Sequence, residues 1–158
     1  MRILLATAVA IAPLMAATGA MAEVVISTAR TTPITTSNAT GTGPDDIRVA
    51  SGGAINVSSG VAVTLDSSHS IDIDSGGSIT MATAANGATA ILANGGNTGD
   101  VLIGGSIKID DSIASDADVA TDNDGAAPRD LARGTGRYGV RVAGATALVG
   151  DVVLETGG

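Results

Sequence analysis

The chain has 158 residues and a formal net charge of −8, from 16 acidic and 8 basic side chains, which argues against nucleic acid and anionic lipid as partners. It contains one tyrosine and neither phenylalanine nor tryptophan, so a thick core built on large rings is excluded. Cysteine is absent as well, so stability does not come from disulfides, and nothing covalent hinders passage of an unfolded chain through a narrow pore.

Residues 1–22 carry the order of features that signal peptidase reads. Arg2 is the positive start, Ile3 to Met15 is an apolar stretch interrupted by Pro13, and Ala20-Met21-Ala22 precedes Glu23. Cleavage is expected between Ala22 and Glu23, with Ala20 and Ala22 as the small residues of the site. The apolar run falls short of the roughly 20 residues that a membrane span needs. Removing these residues takes away only Arg2 among the charges, which leaves a mature chain of net charge −9. Residues 23–44 are threonine-rich, with Val24-Val25-Ile26 as their apolar cluster, and are expected to cap the open edge of the first repeat.

From residue 45 the chain repeats. Ile47-Arg48-Val49-Ala50-Ser51-Gly52-Gly53-Ala54-Ile55-Asn56-Val57 aligns with Ile71-Asp72-Ile73-Asp74-Ser75-Gly76-Gly77-Ser78-Ile79-Thr80-Met81 at an offset of 24. A third copy, Val101-Leu102-Ile103-Gly104-Gly105-Ser106-Ile107-Lys108-Ile109, has its glycines 28 residues further on, and a fourth begins at Val152. Each copy alternates apolar and polar residues on either side of a glycine corner, the pattern of two short half-buried strands. One copy alone cannot bury its apolar row; stacked copies can. The fold class expected is all-β, a right-handed parallel β-helix (solenoid) of about 4 coils, with an antiparallel sandwich of hairpins as the competing architecture.

The stacking predicts particular neighbours. Ile55, Ile79 and Ile107 form an inward column, Asn56, Thr80 and Lys108 an outward one, and Arg48 lies over Asp72 as a cross-rung ion pair. Between Gly105 and Gly158 the spacing doubles, and excising residues 111–136 restores a repeat of about 27 residues, so this acidic segment is expected to be a loop inserted into a coil. Residues 45–158 are thus the solenoid. Thr156-Gly157-Gly158 stops inside the motif, and the sequence is expected to be a truncated N-terminal fragment.

The leader, the threonine-rich start, Pro44-Asp45-Asp46-Ile47-Arg48-Val49, the Ser-Gly-Gly-x-Ile corners and Gly87-Ala88-Thr89-Ala90-Ile91 resemble the passenger start of bacterial autotransporters. So do the Asp122-Asn123-Asp124-Gly125 loop and Arg137-Tyr138-Gly139-Val140-Arg141-Val142, a pattern similar to the large autotransporters of sphingomonad-type α-proteobacteria. The resemblance implies type V secretion, with the export machinery as partner of the leader. It further implies a passenger displayed at the outer membrane surface or in the extracellular space. A C-terminal β-barrel is expected of the full-length family and is not encoded in these residues. A ligand on a host or neighbouring cell is the implied partner, and the solenoid is expected to be monomeric.

Three residue groups invite chemistry. Ser67, Ser68 and Ser70 flank the only histidine, His69, with Asp66 and Asp72 nearby, but neighbours in one turn rarely converge as a nucleophile–base–acid relay, and a solvated turn is the expectation. Asp72 and Asp74 share an outward face at a separation that suits glycoside hydrolysis, yet plain alternation explains them. Asp116, Asp118, Asp122 and Asp124 concentrate the hard oxygens that calcium takes. Ala120 and Leu131 stand where a calcium loop needs acids, and Arg129, Arg133 and Arg137 are close enough to pair with these aspartates. No catalytic residue is assigned, and no cofactor is expected beyond calcium at that loop. The function expected is a non-enzymatic structural or adhesive surface module; the alternative is a stalk presenting an enzymatic or binding domain encoded beyond residue 158.

Overall fold

A computed structural model describes residues 23–111 and 136–156. Its strands are short, as the alternating repeats require. They are β1 (Val24–Ile26), β2 (Ala29–Arg30), β3 (Ile34–Thr35), β4 (Ile47–Val49), β5 (Ala54–Asn56), β6 (Val61–Leu65) and β7 (Ile71–Ile73). Six more strands complete the order: β8 (Ser78–Ala84), β9 (Thr89–Asn94), β10 (Val101–Ile103), β11 (Ser106–Asp111), β12 (Tyr138–Ala143) and β13 (Val152–Leu154). A single 3₁₀ turn, Thr36–Asn38, is the only helical element among the described residues.

Every third strand returns to the same sheet. The first sheet runs β1-β4-β7-β10-β13, the second β2-β5-β8-β11 and the third β3-β6-β9-β12. Neighbours in all three pair in parallel, which excludes the antiparallel sandwich and gives an all-β stack of parallel sheets, the arrangement of a β-solenoid. The two columns fall where the repeat places them: Ile55 pairs with Ile79 and Ile79 with Ile107, while Asn56 pairs with Thr80 and Thr80 with Lys108. Residues 24–35 contribute one strand to each sheet, so the segment read as a cap covers the stack as a complete rung of its own.

The interior is aliphatic. Ile47, Val49, Ile71, Ile73 and Val101 of the first sheet, Ile55 and Ile79 of the second, and Val63, Leu65 and Ile91 of the third are fully buried. In the third sheet Ala62 and Ala90 are buried beside Val63 and Ile91, a departure from alternation that only a small side chain permits. Each layer is one strand thick along the stack axis, so isoleucine, valine and leucine suffice to fill it.

The glycine pairs divide their work. Gly52 and Gly76 take φ of +82° and +85°, the left-handed conformation that turns the corner. Gly53 and Gly77 are needed for stacking, because a Cβ on Gly53 would lie 1.9 Å from Ile26 O and one on Gly77 2.4 Å from Val49 O. The third corner is tighter. Ile103 and Ser106 are separated only by Gly104 and Gly105, where four residues separate Ile73 from Ser78. The first sheet therefore advances from Ile71 to Val101 and the second only from Ser78 to Ser106, offsets of 30 and 28.

Candidate functional site

The outward face of the first sheet carries a charged stripe. Val25, Arg48, Asp72, Leu102 and Val153 stack as Cα partners. Arg48 does lie over Asp72, but the expected ion pair between them is replaced. Its guanidinium reaches past Asp72 to Asp74, with Nε 3.0 Å from both carboxylate oxygens and Nη2 2.8 Å from Oδ2, and Nη1 approaches Glu23 at 3.6 Å. Asp74 sits just beyond β7, where its carboxylate meets the planar fork of donors side-on; Asp72, directly beneath, does not.

Asp72 is thereby left without a close cation. Burial, then the negative charges of Asp74 and Glu155, raise its pKa above the ordinary aspartate value, and Arg48 offsets only part of this. The folded state thus binds the Asp72 proton more tightly than the unfolded chain does. The stability this gives is present below the unfolded pKa and is lost as pH rises through the folded one. Asp72→Asn is expected to raise the melting temperature at pH 7, by a free energy within the roughly 0.5 kcal/mol of a surface substitution, and to have no effect below about pH 3. Thermal melts across pH check this; a destabilised variant at pH 7 contradicts it.

The second polar region lies in the corner that leads from the third sheet back to the first. One residue stands immediately before each first-sheet strand from β4 onward: Asp46, Ser70, Asp100 and Asp151. Each main-chain carbonyl accepts from the previous rung: Val24 N donates to Asp46 O, Ile47 N to Ser70 O, Ile71 N to Asp100 O and Val101 N to Asp151 O. The side chains of the first three accept from the next rung. Ser70 N donates to Asp46 Oδ1 at 2.7 Å, Asp100 N to Ser70 Oγ at 3.0 Å and Asp151 N to Asp100 Oδ1 at 2.8 Å. The result is a ladder in which four main-chain bonds join the five rungs and, from Asp46 onward, a side-chain bond doubles each link.

Beside it, Thr36 is fully buried and accepts from Asp66 N at 3.0 Å and from Ser67 Oγ at 2.8 Å, while its own hydroxyl donates to Asp66 Oδ1. Ser37 donates to the same carboxylate through its main chain and its hydroxyl. Thr36→Val keeps the shape but strands these donors. It is expected to cost about 1–3 kcal/mol in urea unfolding, with Thr36→Ser close to wild type.

His69 departs from the solvated turn expected of it. Its side chain is only 12% exposed, and its Nδ1 lies 3.3 Å from Asp46 Oδ1. Asp46, Asp45 and His69 each offer one ligand atom within 4.8 Å of the others, and Asp45 is buried. The nearby serines do not complete a relay: Ser67 Oγ donates to Thr36 and accepts from the His69 main chain, and Ser70 Oγ accepts from Asp100. Of the two acids three residues away, Asp72 belongs to the outward face and Asp66 is held by Thr36 and Ser37.

At the other end of the stack, Val142, Val149, Val152, Val153 and Leu154 are exposed. A groove of about 430 Å³ there is lined by Ile103, Ile107, Val140 and Leu154, without a cluster of titratable groups. The candidate calcium ligands Asp116, Asp118, Asp122 and Asp124, and the cleavage residues Ala20 and Ala22, lie outside the described residues; Glu23 is exposed. The polar corner was the feature that sequence reasoning missed, although an Asp or Ser directly before every first-sheet strand from β4 onward was its signal. No protein-family model matches the chain, and neither a curated protein nor a solved structure matches it significantly.

Proposed function

We propose that this chain is a non-enzymatic structural or adhesive module of a bacterial autotransporter passenger. In this reading residues 1–22 direct export across the inner membrane, and the remainder crosses the outer membrane to the cell surface. It folds there as a right-handed parallel β-helix of about 4 coils, the hand that parallel crossovers adopt. The insertion, whose expected first residue Asp111 belongs to β11, projects from one face, with Asp116, Asp118, Asp122 and Asp124 as its calcium candidates.

The observation that carries the reading is the register of the outward columns. Val25-Arg48-Asp72-Leu102-Val153 and Asn56-Thr80-Lys108 set side chains at one strand spacing over successive rungs. A face of that kind binds through many weak, repeated contacts, which suits a polymeric or cell-surface ligand better than a small substrate. The test is antibody against residues 23–111 applied to intact cells that express the full gene. Labelling of intact cells, removed by external protease, is expected. Labelling that appears only after the outer membrane is permeabilised overturns the reading.

A further inference from the structure

We propose that Asp45, Asp46 and His69 form a site for a divalent cation of the zinc class, clamping the first two corners of the stack together. The three side chains come from two successive rungs, Asp45 and Asp46 directly before β4 and His69 just before β7, so only the stacked fold brings them together.

Three observations point to a cation. Asp45 is 4% exposed, and its carboxylate accepts one hydrogen bond, from Asp46 N to Oδ1; Oδ2 accepts none among the described residues. Among the described residues no buried side-chain oxygen lacks a hydrogen bond, so the unbonded Oδ2 is the atom through which Asp45 stays reachable from the corner, as a metal ligand must. No described ion pair gives Asp45 or Asp46 a lysine or arginine; the side chain that faces Asp46 is the His69 imidazole, which is able to bind a metal through Nδ1. Finally, the 3.3 Å between His69 Nδ1 and Asp46 Oδ1 is long for a charge-assisted hydrogen bond, which runs about 2.7–2.9 Å. Two ligands bound about 2.0–2.1 Å from zinc at the tetrahedral angle lie roughly 3.3–3.4 Å apart.

The ligand set selects the metal. One imidazole and two carboxylates suit zinc and its first-row neighbours, whereas calcium takes six to eight oxygens. Three protein ligands leave a position for water. The surroundings hold the ligands in place: Asp45 N donates to Thr36 O, Ser70 N to Asp46 Oδ1 and His69 N to Ser67 Oγ. Gly99 packs so closely that a Cβ there would lie 2.1 Å from His69 O. The site is independent of the surface-module reading and of the loop 111–136.

The test is calorimetric titration of the chelator-treated full chain with zinc chloride. One equivalent is expected to bind and to raise the melting temperature. Asp45→Asn and His69→Gln are expected to weaken that binding at least tenfold, with unchanged far-ultraviolet circular dichroism. The loop variant Asp122→Asn is expected to bind as wild type. Absence of one-equivalent binding, wild-type affinity in His69→Gln, or loss of binding in Asp122→Asn overturns the proposal. Should the corner variants fail to fold, X-ray absorption of the zinc-loaded wild type decides: imidazole scattering with a shell at about 2.0 Å is expected. A shell of oxygens alone overturns the site.

Discussion

Gly53→Ala is expected to prevent the stack from closing at its first corner, at a cost of about 3 kcal/mol or more, while Gly52→Ala beside it costs only about 1–2 kcal/mol. The two glycines are adjacent and look equivalent in the repeat, but they fail for different reasons. An added Cβ on Gly52 meets nothing within 4 Å, so the penalty there is the left-handed backbone alone. On Gly53 the same atom lands 1.9 Å from Ile26 O, the oxygen that accepts from Ala50 N. Main chain cannot swing aside as the end of a side chain does, so β1 must lift off β4. Urea unfolding of the two variants reads the contrast, and Gly52→Asn, which tolerates positive φ better, should recover part of the smaller loss. Equal losses in Gly52→Ala and Gly53→Ala would remove the division of labour between turn and stack.

The second large effect belongs to Ile79. It is fully buried between Ile55 and Ile107 in the inward column. Ile79→Ala opens a void with a rung on either side that cannot collapse, because each neighbour is held by its own strand pairing. A loss of about 2–5 kcal/mol is expected, against about 0.5–1.5 kcal/mol for Ile79→Val. The outward neighbour Thr80 supplies the control: Thr80→Val is expected to change stability by no more than about 0.5 kcal/mol. A large effect at Thr80 with a small one at Ile79 would mean that the register is off by one residue, since such a slip exchanges the two faces.

How far the molecule could be read in advance depends on what repeats. The columns of Ile55 and Asn56 were legible because strand alternation and the Ser-Gly-Gly corner recur together, and two periodic signals in phase leave one register. The first rung was not, because Ala29–Arg30 and Ile34–Thr35 are two-residue strands that carry no motif; their pairing is dictated by β5 and β6 beneath them. Arg48 found Asp74 instead of Asp72 because a long side chain answers to the path of the corner, which spacing along a strand does not encode. His69 escaped for a related reason. Its partner Asp46 is 23 residues away, and only the depth of the turn decides that the ring faces inward.

The double ladder at Asp46, Ser70, Asp100 and Asp151 makes the molecule a ruler with interchangeable divisions. Asp46 and Ser70 each accept through the main chain from the rung before and through the side chain from the rung after, so a cut between Asp46 and Ile47 and another between Ser70 and Ile71 leave matching ends in this ladder. Loss of the 24 residues between them would seat Ile71 where Ile47 stood against Val24, and the seam would lie elsewhere, at Thr36 and Ser37, which lose Asp66 and Ser67. Unequal recombination within such a gene alters the height of the column in steps of about 4.8 Å per coil and keeps the first-sheet ladder continuous.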